Sequence, residues 1–254
     1  MNSNEVTSIC IIRLSSMGDI LLITPLLRQL RTQFPSARID MAIAKRFAEI
    51  VRYNPYLSNV IEIDTNQGAK GIISQSKIAR LKLPLKKYDV VLDEQVNLRS
   101  FLFRFSLGKL TYTLDKFRKQ KLELVKLKKG FGKLIVPIAE RYLHTAKNIG
   151  VHDDGKGLEL WLPEENNLGY YPPEKRIDVT NPPKILAIAP GARHFTKRWL
   201  PERFAETARL FHDKFGTQII LLGGTDDFEA CKMVRELIPF PITDASGATS
   251  IYET

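Results

Sequence analysis

Four consecutive apolar residues, Ile9-Cys10-Ile11-Ile12, run through Arg13-Leu14-Ser15-Ser16-Met17-Gly18 into a stretch where Ile20, Ile23, Leu27, Leu30 and Phe34 recur at spacings of three and four. The first pattern is that of a buried strand, the second that of one apolar helix face over Asp19 to Phe34. Repetition of this alternation is the signature of βα units and a mainly parallel sheet, and the chain repeats it. Ile39, Met41 and Ile43 alternate as a second strand over 37–44, and a short helix over 46–53 ends near Asn54-Pro55. A third strand is expected over 59–63, a helix over 71–81 and a fourth strand over 88–92. From 101 to 133 aromatic and basic residues interleave without a clear period; a helix over 138–149 then closes on Gly150.

Five prolines, Pro163, Pro172, Pro173, Pro182 and Pro183, mark a linker over 163–183. The α/β pattern then restarts, with a strand over 184–189, a helix over 201–215 opening on Pro201, a strand over 217–222, Gly223-Gly224, and a helix over 226–237. Two domains follow, 1–162 and 184–254. The second has room for only two strand–helix units, whereas an independent domain usually holds about 100–150 residues, so it is expected to be incomplete.

With 44% hydrophobic and 26% charged residues, the composition is that of a soluble globular protein. No apolar run approaches the ~20 residues needed to cross a bilayer. Met1-Asn2-Ser3-Asn4-Glu5 lacks the basic and apolar regions of a signal peptide, so a cytoplasmic location is expected. Cys10 and Cys231 have neither metal-ligand spacing nor disulfide density and are expected to be reduced packing residues. The net charge of +10 is local: residues 77–150 carry 18 Lys and Arg against 6 Asp and Glu, a balance of +12 that leaves −2 for the rest. Such a patch suits a phosphorylated lipid, an anionic membrane face or nucleic acid, and equally a solvated surface of scattered lysines.

Two corners carry chemistry. At the first, Gly18 permits close approach of a ligand, while the helix that follows offers unpaired N–H groups and the positive end of its dipole. Ser16-Met17-Gly18-Asp19 equally fits a capping box, in which Asp19 only satisfies backbone donors. At the second, the strand over 184–189 ends in Pro190-Gly191-Ala192-Arg193, and Lys197-Arg198-Trp199-Leu200-Pro201 leads into the next helix. A small turn residue, two cations and a helix start suit a diphosphate. A surface loop with Trp199 packed on its helix has the same sequence pattern.

Together these residues resemble the bacterial lipopolysaccharide heptosyltransferases, ADP-heptose-dependent glycosyltransferases of family 9 with the GT-B fold. The resemblance is carried by Ser15-Ser16-Met17-Gly18-Asp19-Ile20, Thr24-Pro25-Leu26, Gln95, Leu98-Arg99-Ser100, Pro190-Gly191-Ala192, Lys197-Arg198-Trp199, Pro201, and Leu221-Leu222-Gly223-Gly224 before Asp226. It implies an α/β chain of two Rossmann-like domains facing a cleft, acceptor on the N-terminal side and nucleotide sugar on the C-terminal side. It also implies an inverting transfer that needs no metal and no cofactor. Asp19 would be the general base. Ser16, Gly18, Gln95 and Arg99 would meet the acceptor, and Gly191, Thr196, Lys197 and either Asp226 or Glu229 the donor. The implied partners are an ADP-heptose-type donor and an anionic lipid-linked acceptor at the inner face of the cytoplasmic membrane, with no nucleic acid. Family members continue beyond Thr254 with an Asp-Ser-Gly and His-containing stretch. A nucleotide-sugar epimerase of the same fold and a basic nucleic-acid-binding module are the competing expectations. A dinucleotide oxidoreductase is disfavoured because no Gly-x-Gly-x-x-Gly follows strand one or the strand at Lys184.

Overall fold

The computed structural model of the chain describes residues 6–81, 87–104, 107–126, 128, 136–162, 184–192 and 194–251. The expected linker over 163–183 lies outside these residues, as do Arg193 and most of the basic stretch after Lys126. The chain divides into two compact units, Met1–Leu162 and Pro163–Thr254.

The first unit is built on five parallel strands in the order β3-β2-β1-β4-β5. These are β1 Ser8–Ile12, β2 Arg38–Ala44, β3 Asn59–Ile63, β4 Tyr88–Asp93 and β5 Gly108–Thr113. Every residue of β1 and β4 is buried, as their continuous apolar runs require of central strands covered on both faces. Around them lie α1 Met17–Leu22, α2 Thr24–Gln33, a 3-10 helix Lys45–Val51, α3 Gly68–Leu81, α4 Leu98–Arg104, α5 Arg118–Lys126 and α6 Ile138–Thr145.

In the first unit the structure corrects several expectations. The helix over Asp19 to Phe34 is two helices, broken at Ile23 because Pro25 has no N–H and its ring would strike the carbonyl of Leu21. That carbonyl is satisfied instead by the Thr24 hydroxyl at 2.8 Å and by the amide of Ile23. The helix over 138–149 stops at Thr145 and continues as 3-10 helix Lys147–Ile149, ended by Gly150 at φ 88°. The region without period holds α4, β5 and α5, none of them expected. As an edge strand, β5 buries no residue fully, so it carries no apolar run.

Residues 151–162 are fastened to the first unit through buried Arg28. Its guanidinium makes a bidentate pair with Asp154, Nε to Oδ2 at 2.8 Å and Nη2 to Oδ1 at 2.7 Å, and ion-pairs with Glu159 at 3.0 Å. At the amino-terminal edge of the sheet Asp89 Oδ2 accepts the amides and hydroxyls of both Thr7 and Ser8, while Lys109 holds Oδ1 at 2.7 Å. Burial opposes ionisation of Asp89, but the Lys109 contact and these donors outweigh it and hold the carboxyl far below its usual range.

The second unit has a three-stranded parallel sheet in the order β6-β7-β8, formed by β6 Ile185–Ile188, β7 Gln218–Leu221 and β8 Thr243–Asp244. Helices α7 Pro201–Phe215 and α8 Phe228–Glu236 pack on it through Ala205, Ala208, Cys231 and Val234. The expected helix over 226–237 opens as 3-10 helix Thr225–Asp227 before α8 begins. Cys10 and Cys231 are both buried free thiols, 0% exposed. Among the described residues no helix is long and apolar enough to cross a membrane.

Glu94, directly after β4, is fully buried, with the Thr145 hydroxyl 3.2 Å from Oε2 and no hydrogen bond at Oε1. Burial pushes its carboxyl well above the usual range, more than the Thr145 contact and the Arg13 charge pull it down. Unfolding lets the group ionise above a pH of about 4.3, while the folded chain still holds the proton. Its contribution to stability therefore falls as pH rises from that value toward the folded pKa. Glu94→Gln keeps the shape and removes the proton. Thermal melts from acid to neutral pH should show a flatter dependence in the variant, which melts higher than the parent at neutral pH; parallel curves would mean that Glu94 is ionised in the fold.

Candidate active site

In a sheet ordered β3-β2-β1-β4-β5, successive crossovers diverge between β1 and β4, and the space outside the carboxyl ends of these two strands is where open α/β sheets bind ligands. The loops after β1 and β4 meet there. The amide of Glu94 donates to the Ile12 carbonyl at 3.0 Å, and Gln95 Oε1 accepts the amides of Leu14 and Ser15 at 3.0 and 3.1 Å. Buried Asp93 shapes the second loop: Oδ1 accepts the amides of Gln95 and Val96, and Oδ2 takes the Ser100 hydroxyl at 3.0 Å and Arg104 at 3.2 Å. Asn97 and Ser100 then exchange side-chain-to-amide hydrogen bonds at 2.9 Å across the start of α4.

Asp19 stands at the third position of α1, with Ser16 as N-cap. Its Oδ2 carries the holding contacts: the Ser16 hydroxyl at 3.0 Å, the Ser16 amide at 3.3 Å and Arg13 Nη2 at 2.5 Å. Asp19 is half-buried, with its side chain 30% exposed, and among the described residues Oδ1 accepts a single hydrogen bond, from the Tyr142 hydroxyl at 3.4 Å. Burial raises the carboxyl, but the Arg13 charge and the Ser16 donors together bring it below its ordinary value. The capping contacts and the ion pair thus gather on Oδ2, and Oδ1 is the more open oxygen of the carboxylate.

Two neighbours of Asp19, Arg13 and Tyr142, and Glu94 behind Arg13 are not singled out by spacing. Arg13 is 8% exposed; it pairs with Asp19, gives Nη1 to the Glu94 carbonyl at 2.5 Å and lies over the Tyr142 ring at 5.5 Å. Tyr142 is a fully buried residue of α6, and burial pushes its hydroxyl up, keeping it a proton donor. Arg13 and Glu94 are each the first residue after a central strand, and that position relative to the switch point is the signal that finds them.

The expected acceptor residues take different parts. Ser16 is exposed beside Asp19, and a Cβ on Gly18 would meet nothing within 4 Å, so packing does not demand a glycine there. Gln95 is committed to the backbone of Leu14 and Ser15, with its Nε2 3.4 Å from the Ser15 hydroxyl. Arg99 is exposed on α4. Beyond β4 and β5 a cavity of about 540 Å³ opens between Val96, Lys116, Arg118 and Lys119, with Lys116 Nζ donating to the Val96 carbonyl at 2.9 Å. Burial and neighbouring Arg118 both lower the Lys116 ammonium from its usual value.

In the second unit, Thr196 and Lys197 belong to 3-10 helix Phe195–Lys197 and are exposed, as are Asp226 and Glu229. Arg198 folds back to the Ala192 carbonyl at 2.7 Å, and Trp199 packs edge-on against Phe204. Gly191 has a packing reason: a Cβ there would collide with the carboxylate of Asp227, which also accepts the Gly224 amide at 3.1 Å. Asp227, between the two expected carboxylates, therefore links the loop after β6 to the loop after β7. Among the described residues no cluster of three or more His, Cys, Asp or Glu is placed to hold a metal ion.

Comparison with known proteins gives this geometry a family. Residues 78–254 match the model of glycosyltransferase family 9 (heptosyltransferase). The chain is 22% identical over 248 residues to the lipopolysaccharide core heptosyltransferase OpsX of Haemophilus influenzae, covering 96% of this chain and 68% of that protein. Among solved structures, a glycosyl transferase family 9 protein of Veillonella parvula superposes with a TM-score of 0.76 at 24% identity, covering 96% of this chain and 70% of the other. The E. coli heptosyltransferase WaaC with ADP gives 0.64 at 20% identity, covering 93% and 74%. The fold is therefore the α/β architecture of the GT-B heptosyltransferases, and the chain belongs to glycosyltransferase family 9, the heptosyltransferase family of glycosyl-transfer enzymes.

Proposed function

We propose that the chain moves heptose, or a related sugar, from an ADP-sugar to a lipopolysaccharide core or lipid A acceptor by a single inverting displacement. The observation that carries this reading is the divided carboxylate of Asp19: Oδ2 is fixed by Arg13 and Ser16 while, among the described residues, Oδ1 has a single long contact, with Tyr142. The family model covers residues 78–254 and does not reach the Asp19 loop, so the role of Asp19 rests on that geometry and on the likeness of the loop to its counterparts. The acceptor hydroxyl oxygen forms the new bond to the anomeric carbon as the bond from that carbon to the ADP oxygen breaks. The hydroxyl proton goes to Asp19 Oδ1, and the electron pair leaves with ADP.

The first unit serves as the acceptor side, with Ser16, Gly18 and Arg99 lining it and Gln95 holding the loop in place. The second unit serves as the donor side. Lys197 supplies a cation for the diphosphate, Thr196 and the Gly191 loop approach the phosphates, and Asp226 or Glu229 takes the ribose hydroxyls. No step requires a metal or a cofactor. An anionic lipid-linked acceptor places the work at the cytoplasmic face of the inner membrane.

Transfer from ADP-heptose to heptose-deficient core lipopolysaccharide, followed by ADP release and by the mass of the acceptor, tests the reading. Asp19→Asn should lower kcat by about 10²–10⁴-fold with ADP affinity retained; turnover at the parental rate removes Asp19 from the chemistry. Lys197→Ala should weaken ADP binding by roughly ten-fold, as for a lost charge-assisted hydrogen bond, and calorimetry showing unchanged affinity contradicts its role.

The pH profile supplies a separate check. Because Arg13 and Ser16 hold Asp19 below its ordinary value, the base is ionised across neutral pH and is lost only as pH falls below about 4. The acid limb of kcat/KM should be absent between about pH 5 and 8. Arg13→Met should raise the Asp19 pKa and move that limb upward.

A further inference from the structure

Helix α5, Arg118–Lys126, has no buried residue among its nine. A helix turns about 100° per residue, which puts Arg118, Leu122 and Val125 on one stripe, Lys121 on one flank of it and Lys119 and Lys126 on the other. Leu122 is 51% exposed and Val125 75%. Glu123, the single acid of the helix, falls on the opposite side with Leu124, and these two are the half-buried members. Among the described residues nothing buries this apolar strip, which is edged by cations and cleared of anions, and it has the pattern of a helix that lies in the headgroup layer of a bilayer.

We infer that α5 docks the first unit onto an anionic lipid surface, Leu122 and Val125 entering the headgroup boundary and Lys119, Lys121 and Lys126 meeting lipid phosphates. The inference rests on the lipid-linked acceptor of the proposed transfer and adds to it the element that meets the membrane. Charge complementarity commits the helix to this occupant: residues 116–126 hold five basic side chains against one acid, within the local balance of +12. Position agrees with it. All five strands are parallel, so α5 starts from the same carboxyl edge of the sheet that carries Asp19, and Lys116 ties its leading loop to Val96 at the end of β4. Docking through α5 brings that edge to the plane where a lipid-anchored sugar would be presented.

The test is sedimentation of the full chain with vesicles containing phosphatidylglycerol and with vesicles of phosphatidylcholine alone, alongside turnover on detergent-dispersed acceptor. The parent should bind the anionic vesicles, with binding weakened by salt, and ignore the neutral ones. Lys121→Gln with Lys126→Gln should weaken partition by about 25-fold, near five-fold per cation. Leu122→Glu with Val125→Glu should abolish partition, and because all four side chains are exposed both variants should melt with the parent. Turnover on dispersed acceptor should be unchanged in both, which separates failure of docking from failure of the transfer reading. Equal sedimentation of parent and variants overturns the inference, as does a parent that ignores anionic vesicles but binds RNA with salt sensitivity.

Discussion

The buried guanidinium of Arg13 is the interaction on which the site depends. It leaves β1 at the switch point of the sheet, is 8% exposed, and contacts the Glu94 carbonyl, the Asp19 carboxylate and the Tyr142 ring. A cation so placed requires a counter-charge, because an unpaired one would cost several kcal/mol. Two carboxyl groups stand near enough to supply it. Burial drives Glu94 toward its neutral form, whereas Asp19 is held on the ionised side by Arg13 itself and by Ser16. Charge in the pocket thus resolves into one cation, one anion and one neutral acid, and the anion is the residue at the exposed rim.

Sequence pattern located what depends on continuous runs and on punctuation. β3 and α7 have the expected bounds, and Pro201 opens α7 as a first-turn proline should. The same punctuation, applied to Pro25, would have divided α1 from α2; the apolar spacing continues across the break, and Ile20, Ile23, Leu27 and Leu30 are all fully buried. β5 left no trace, since an edge strand that is mostly exposed has no apolar run to count, and β8, only two residues long, is below the length at which alternation means anything. At the site, the loop motif pointed to Asp19 but not to Arg13, Glu94 or Tyr142. Their roles come from strand order and from the packing of α6, which no local spacing encodes. In the second unit Asp227 sat unremarked between two named carboxylates, because the collision that makes Gly191 necessary exists only in three dimensions.

The distribution of charge has a structural logic of its own. The sheet core neutralises its charges internally: Asp40 takes Arg38 at 2.7 Å and the Tyr88 hydroxyl at 2.5 Å, Asp93 takes Arg104, and Asp89 takes Lys109. These three acids are each matched by a cation nearby, whereas Lys119, Lys121 and Lys126, which contribute to the +12 of residues 77–150, are exposed on α5. Exposed like charges repel at the cost of some stability. Accumulating them on one helix gains nothing for folding, and the proposed docking on an anionic lipid surface would offset that repulsion.

A carboxylate whose pKa is lowered by an arginine is a poor base, and a sugar hydroxyl is a poor acid. The mismatch matters only if proton transfer leads the reaction. When a nucleoside diphosphate departs, its oxygen leaves readily once a cation offsets the charge, and the anomeric carbon becomes strongly electrophilic before the new bond is complete. The attacking hydroxyl gains acidity as that bond forms, and its proton passes to the carboxylate late, when the oxygen has become an oxonium-like centre. A base that is ionised at every relevant pH and rigidly aimed then serves better than a stronger one that is partly protonated and free to turn. Arg13 lowers the basicity of Asp19 but also holds Oδ2, and through it fixes where Oδ1 lies. In the proposed transfer the loss in proton affinity and the gain in position come from the same contact, and a displacement driven by its leaving group tolerates the first while using the second.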